Sequence, residues 1–108
     1  MKREMRSLEI TEKQWAQQVV DLSRQFGWKV YRTWNSIHSP AGFPDIVAVK
    51  DSELLVVELK SEKGKLTETQ KEWLSAFQLT CARVFVWRPS DFEEVVAILR
   101  GIIILEVK

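Results

Sequence analysis

Cysteine is nearly absent. Cys81 is alone in the 108 residues, so no disulfide can form within the chain. A lone thiol fits a reducing compartment. No apolar run approaches the length needed to span a bilayer, so no membrane association is expected. Met1 to Glu9 is charged, with no apolar stretch behind it, and does not read as a signal peptide. These absences lead us to expect a cytoplasmic protein. There is no internal repeat and no low-complexity segment. A strong charge of either sign is also missing, since 16 basic residues nearly balance 15 acidic ones for a net charge of +1. That lacks the basic excess of many nucleic-acid binders. It does not exclude such a partner, because acids kept for a metal would cancel basic contacts elsewhere. The charge has to be read locally.

What is present is an ordinary globular composition, 45% hydrophobic and 29% charged, in a chain of single-domain length. Residues 1–10 read as a charged, flexible N-terminal segment and 11–108 as one domain. Thr11, with Gln14 three positions on, has the form of a capping box opening a helix. Trp15, Val19, Leu22 and Phe26 give that helix its apolar stripe, and Gly27 closes it. Residues 28–34 alternate as a half-buried strand. Residues 35–44 form a loop. Two short apolar runs, 45–50 and 54–60, read as strands joined by a tight turn at Asp51-Ser52. Thr67 and Gln70 form a second capping box before a helix carrying Trp73, Leu74 and Phe77. Residues 83–87 make a fourth strand. Ser90 and Glu93 suggest a third capping box, with a helix from Asp91 to Arg100 ended by Gly101. The expected fold class is α/β, a small mixed sheet flanked by helices in the order αβββαβα, with the second helix as a crossover between neighbouring strands. The tail 102–107, Ile-Ile-Ile-Leu-Glu-Val, is strongly β-prone and is expected to dock on this sheet or on a partner.

Two acids interrupt the apolar strands. Asp45 opens the first and Glu58 nearly closes the second. A buried carboxylate is costly unless it is paired or binds metal. With Asp51-Ser52 as a two-residue hairpin loop, Lys50 pairs with Glu53 and Asp45 falls opposite Glu58. Opposed residues share a face, roughly 5 Å apart at Cβ, and like charges there destabilise a sheet. A divalent cation between them removes the conflict. Oxygen ligands with no histidine or cysteine nearby favour Mg²⁺ or Mn²⁺. Lys60, two residues after Glu58, projects from the same face. It can orient a water and stabilise charge developing on phosphorus. Taken singly, each of the three has an ordinary reading: a strand-opening Asp as a cap, Glu and Lys at a strand end as solvated residues. Together they make a minimal set for metal-assisted phosphodiester hydrolysis.

The same residues resemble a known family. Pro44-Asp45 followed by Glu58-Leu59-Lys60 resembles the signature of the PD-(D/E)XK nucleases. The wider pattern is similar to their VRR-NUC branch. It includes Gly27-Trp28, Ala41-Gly42-Phe43-Pro44-Asp45, Glu58-Leu59-Lys60-Ser61-Glu62, Gly64-Lys65-Leu66-Thr67, Gln70 with Trp73-Leu74, and Trp87-Arg88-Pro89-Ser90-Asp91, over roughly residues 11–100. The resemblance implies a restriction-endonuclease-like core and a single VRR-NUC-like domain. It implies Asp45 and Glu58 as metal ligands, joined by the backbone carbonyl of Leu59, with Lys60 as the catalytic lysine and Gln70 beside the site. Such nucleases often add an acid from the first helix. Here Glu12 or Gln17 could take that place, Gln17 through its carbonyl, and the choice stays open. The resemblance further implies a homodimeric, structure-specific DNA endonuclease, with branched DNA such as four-way junctions among its substrates.

Other residues could contact DNA. His38, the only histidine, and Ser36 lie in the loop before Asp45; Lys63 and Lys65 flank Gly64 just after the motif. Each could equally be a solvated loop residue. Of five tryptophans, Trp15, Trp73 and Trp87 are expected in the core, and Trp28 and Trp34 in packing or base stacking. Cys81 is expected to be a buried structural thiol.

Overall fold

The computed structural model describes residues 10–33 and 39–101. Residues 1–9 of the N-terminal segment, the loop residues Trp34, Ser36 and His38, and the β-prone tail lie outside the described residues. The elements run α1 (Glu12–Gln25), β1 (Lys29–Arg32), β2 (Ile46–Lys50), β3 (Glu53–Leu59), α2 (Glu68–Gln78), β4 (Arg83–Trp87) and α3 (Phe92–Leu99). This is the expected order. One four-stranded sheet holds the strands in sequence order, antiparallel from β1 to β3 and parallel between β3 and β4. The parallel step needs a crossover, and α2 supplies it.

The first two helices begin as their sequences dictate. Thr11 Oγ1 accepts from the Gln14 N–H while Gln14 Oε1 accepts from the Thr11 N–H. Thr67 and Gln70 repeat the arrangement. After α1, Gly27 takes φ +94°, a left-handed conformation that disfavours any residue with a Cβ. The third expected capping box does not form. A 3₁₀ turn at Pro89–Asp91 precedes α3, and Asp91 Oδ2 accepts from the Arg88 N–H. Proline fixes the turn and Asp91 caps it one step earlier, so Ser90 is left outside the cap role.

Burial divides the sheet into two faces. Leu55, Val57 and Leu59 of β3 join Ile46, Ala48 and Trp87 beneath Trp15, Val19 and Val20 of α1 and Val95, Ile98 and Leu99 of α3. Each valine, leucine or isoleucine among them, taken fully from water, contributes about 1.5–3 kcal/mol. Two indole N–H groups tie helices to this layer: Trp15 donates to the Trp87 carbonyl at 3.0 Å and Trp28 to the Leu99 carbonyl at 2.8 Å. Val56 and Glu58 lie on the alternate pleat, toward α2. Trp73 is half-buried rather than central. It lies on α2 against Phe43 and Phe77, with ring centroids 4.9 and 6.0 Å away. Cys81 is exposed, contrary to expectation. It falls in the turn after α2, past the end of the helix's apolar stripe.

Candidate active site

The β2–β3 hairpin sets the site. Lys50 pairs with Glu53 and Ile46 with Val57, so one further step puts Asp45 opposite Glu58, as the register argument requires. Asp51 carries the turn with φ 53°, which Asp tolerates better than most residues. Asp45 is then fixed from both sides. Its carbonyl accepts from the Thr33 N–H at 2.8 Å, and its Oδ2 accepts from the Leu59 N–H at 2.8 Å. The peptide of Leu59 is thereby brought to the Asp45 carboxylate.

Glu58 is 2% exposed and Lys60 7%. Lys60 Nζ stands 3.5 Å from Glu58 Oε2. That is ion-pair range, longer than a short charge-assisted hydrogen bond. Gln70 Nε2 donates to the same Oε2 at 3.0 Å. The other oxygen, Glu58 Oε1, is buried without a hydrogen-bond partner. Burial and the nearby Asp45 carboxylate raise the Glu58 pKa from 4.5 to about 8, against the lowering effect of Lys60. With two acids and one ammonium, full ionisation leaves one negative charge uncompensated. A buried, unpartnered carboxylate oxygen beside a second acid is the donor arrangement a hard divalent cation satisfies.

The loop before Asp45 is shaped by contact with α2. Gly42, at φ +83°, approaches so closely that a Cβ there would lie 2.6 Å from the Thr69 carbonyl carbon and 2.8 Å from the Gln70 nitrogen. Phe43 then packs edge-on against Trp73. Asp45 and Gln70, from different elements, are held in one mutual position.

Gln17 is exposed; its Nε2 donates to Asp21 Oδ1 at 2.9 Å and its Oε1 accepts from Arg32 Nη1 at 3.0 Å. Glu12 is exposed in the first turn of α1. Among the described residues no cluster of three or more acidic, histidine or cysteine side chains forms. Gln18, next to the candidate Gln17, has a buried Oε1 with no partner among the described residues. Only burial distinguishes the two glutamines, and the apolar stripe of α1 is the signal that could have separated them. Lys63 and Lys65 are exposed on the turn after Lys60. Arg88, part of the Trp87-Arg88-Pro89-Ser90-Asp91 stretch but given no role there, reaches that turn from the end of β4.

Residues 2–91 match the family model described as the VRR-NUC domain. The chain belongs to the VRR-NUC family. Its fold is that of the PD-(D/E)XK nucleases, and the VRR-NUC match includes the hairpin, Gln70 and the Arg88 turn. The chain is also similar to a solved structure, that of Hjc, a Holliday junction resolvase from the hyperthermophilic archaeon Archaeoglobus fulgidus. The identity is 26% and the TM-score 0.54, over 68% of this chain and 63% of that one. The VRR-NUC chain thus spans less than two thirds of the resolvase. Comparison with curated proteins gives no match. No helix of the described residues is long and apolar enough to cross a membrane.

Proposed function

We propose that this chain is a divalent-metal-dependent DNA endonuclease acting on branched DNA, four-way junctions included. The observation that carries this reading is Glu58, a buried carboxylate with one oxygen held by Lys60 and Gln70 and the other unpartnered beside Asp45. Family membership and the resolvase likeness support the choice of substrate.

Asp45 and Glu58, with the Leu59 carbonyl, would hold Mg²⁺ or Mn²⁺. Such an ion supplies charge neutralisation on the phosphate and a more acidic attacking water. Asp45 is anchored by the Leu59 N–H, so its remaining oxygen is aimed by the backbone rather than by rotamer choice. Gln70 fixes Glu58 by its amide N–H. Lys60, 3.5 Å from Glu58, can orient the water for in-line attack. Its positive charge opposes the negative charge that builds on the phosphoryl oxygens as the water–phosphorus bond forms and the ester bond breaks. Lys63 and Lys65 meet flanking phosphates, as would His38 and Ser36 from the loop before Asp45. A homodimer would present two such sites to the two strands of a branch.

Among the described residues two acids form the site, and Gln17 is bonded to Asp21 and Arg32; this favours a second reading: a module that binds branched DNA without cutting. Incubation of plasmid and four-way junction substrates with Mg²⁺, Mn²⁺ or EDTA separates the two. Metal-dependent junction cleavage is expected; retained junction binding with intact DNA in every metal supports the second reading.

A further inference from the structure

We infer that Arg88 is a positioning residue for Lys60 and for the lysine-bearing turn that follows it. The inference rests on the proposed nuclease reading for its consequence, but not for its geometry. Arg88 Nη1 donates to three backbone carbonyls of one turn: Ser61 at 2.7 Å, Gly64 at 2.6 Å and Glu62 at 3.3 Å. A second tie runs between the same segments, from the Ser90 N–H to Glu62 Oε2 at 2.5 Å. A third joins the Lys60 N–H to the Trp87 carbonyl at 3.1 Å. Every one of these connects residues 60–64 to residues 87–90, at the junction of β4 and α3.

The clamp sits where the chain has no regular structure of its own to hold it. β3 ends at Leu59 and α2 begins at Glu68. Lys60 is the first residue past the strand, so the ladder fixes its backbone only through Trp87. The turn closes on itself with one 3.3 Å bond from the Gly64 N–H to the Ser61 carbonyl. Gly64 lies over the Lys60 side chain, since a Cβ at that position would be 3.4 Å from Lys60 Cδ. The turn therefore forms part of the wall that buries the lysine. Arg88 draws the turn's carbonyls toward itself, while Lys63 and Lys65 remain exposed. The guanidinium donates to carbonyls, so Arg88, Lys63 and Lys65 give the turn three cations against the single carboxylate of Glu62, which is held by the Ser90 N–H. The turn therefore carries net positive charge where a phosphate chain would pass.

Release of the clamp should act on the rate more than on substrate affinity, because Lys60 is the group it places. Displacement of a catalytic group by about 1 Å costs on the order of 100-fold. Hydrogen exchange and junction cleavage of the full chain test this together, with Arg88→Ala and Arg88→Lys compared to wild type. The expected result is faster exchange in the segment 60–65 of Arg88→Ala, with β3 amides unchanged. In the same variant kcat falls on the order of 10- to 100-fold, KM changes little, and low-millimolar guanidinium restores part of the rate. Arg88→Lys, with a shorter reach, lies between. Unchanged exchange in 60–65 overturns the clamp, as does a loss confined to KM. If the wild-type chain does not cut, the proposed function fails while the exchange measurement still decides the clamp.

Discussion

Gln70 uses both ends of its amide. Its Oε1 accepts from the Thr67 N–H at 2.9 Å and closes the capping box of α2, while its Nε2 donates to Glu58 Oε2 at 3.0 Å. The helix start and the site are therefore built from one side chain. With its oxygen committed to the cap, Gln70 acts on Glu58 only as a donor.

The two roles separate by mutation. Thr67→Ala removes the cap and should cost about 1 kcal/mol of stability with cleavage retained. Gln70→Ala should cost a similar amount and also lower kcat by about tenfold or more, the scale of a hydrogen bond lost to a charged group. Denaturant melts and single-turnover cleavage check this. Equal kinetic effects in the two variants would contradict it.

Gly42 should tolerate no side chain. Its φ of +83° and the 2.6 Å approach to the Thr69 backbone combine strain with overlap. Gly42→Ala should destabilise the fold by roughly 2–5 kcal/mol. Gly101 has the same φ, and among the described residues no atom lies within 4 Å of a Cβ there, so Gly101→Ala should cost only about 1–2 kcal/mol. A chemical denaturation series with both variants measures the difference; equal losses would mean that the contact with α2 carries no weight.

Stability without metal should fall as pH rises through a defined window. Glu58 has its pKa raised from 4.5 to about 8, by burial first and then by Asp45. Below 4.5 the folded and unfolded chains both hold the proton. Between 4.5 and about 8 the folded chain keeps a proton that the unfolded chain has released, so stability drops with each step up in pH. In EDTA the wild-type Tm should decline more steeply over this range than that of Glu58→Gln. Mg²⁺ or Mn²⁺ should lessen the decline and release a proton on binding, seen by calorimetry in buffers of different ionisation enthalpy. A Glu58→Gln slope equal to wild type would contradict the assignment.

Much of this was legible in the chain itself. Thr11 with Gln14, and Thr67 with Gln70, announced two helices because capping boxes are local. The Lys50–Glu53 pairing follows from a two-residue turn, and that register alone brings Asp45 and Glu58 together. The failures were non-local. Ser90 and Glu93 had the spacing of a cap, but proline at position 89 favoured a 3₁₀ turn capped by Asp91. Cys81 looked buried by residue type, yet its position beyond the end of α2 left it exposed. Gln17 and Gln18 are chemically identical; only packing of α1 against the sheet exposes one and buries the carbonyl of the other. Arg88 lies in a stretch that resembles the family, but its role is not legible there, because its partners are backbone carbonyls 24–27 residues away.

The central claim is that Lys60, held 3.5 Å from Glu58, takes part in cutting rather than in folding. Single-turnover cleavage of a four-way junction in Mg²⁺ or Mn²⁺, by wild type and Lys60→Ala, tests it most directly. Wild type should cut, and the variant should retain junction and metal binding while its rate falls on the order of 10²- to 10³-fold. A Lys60→Ala chain that cuts at the wild-type rate would contradict the account.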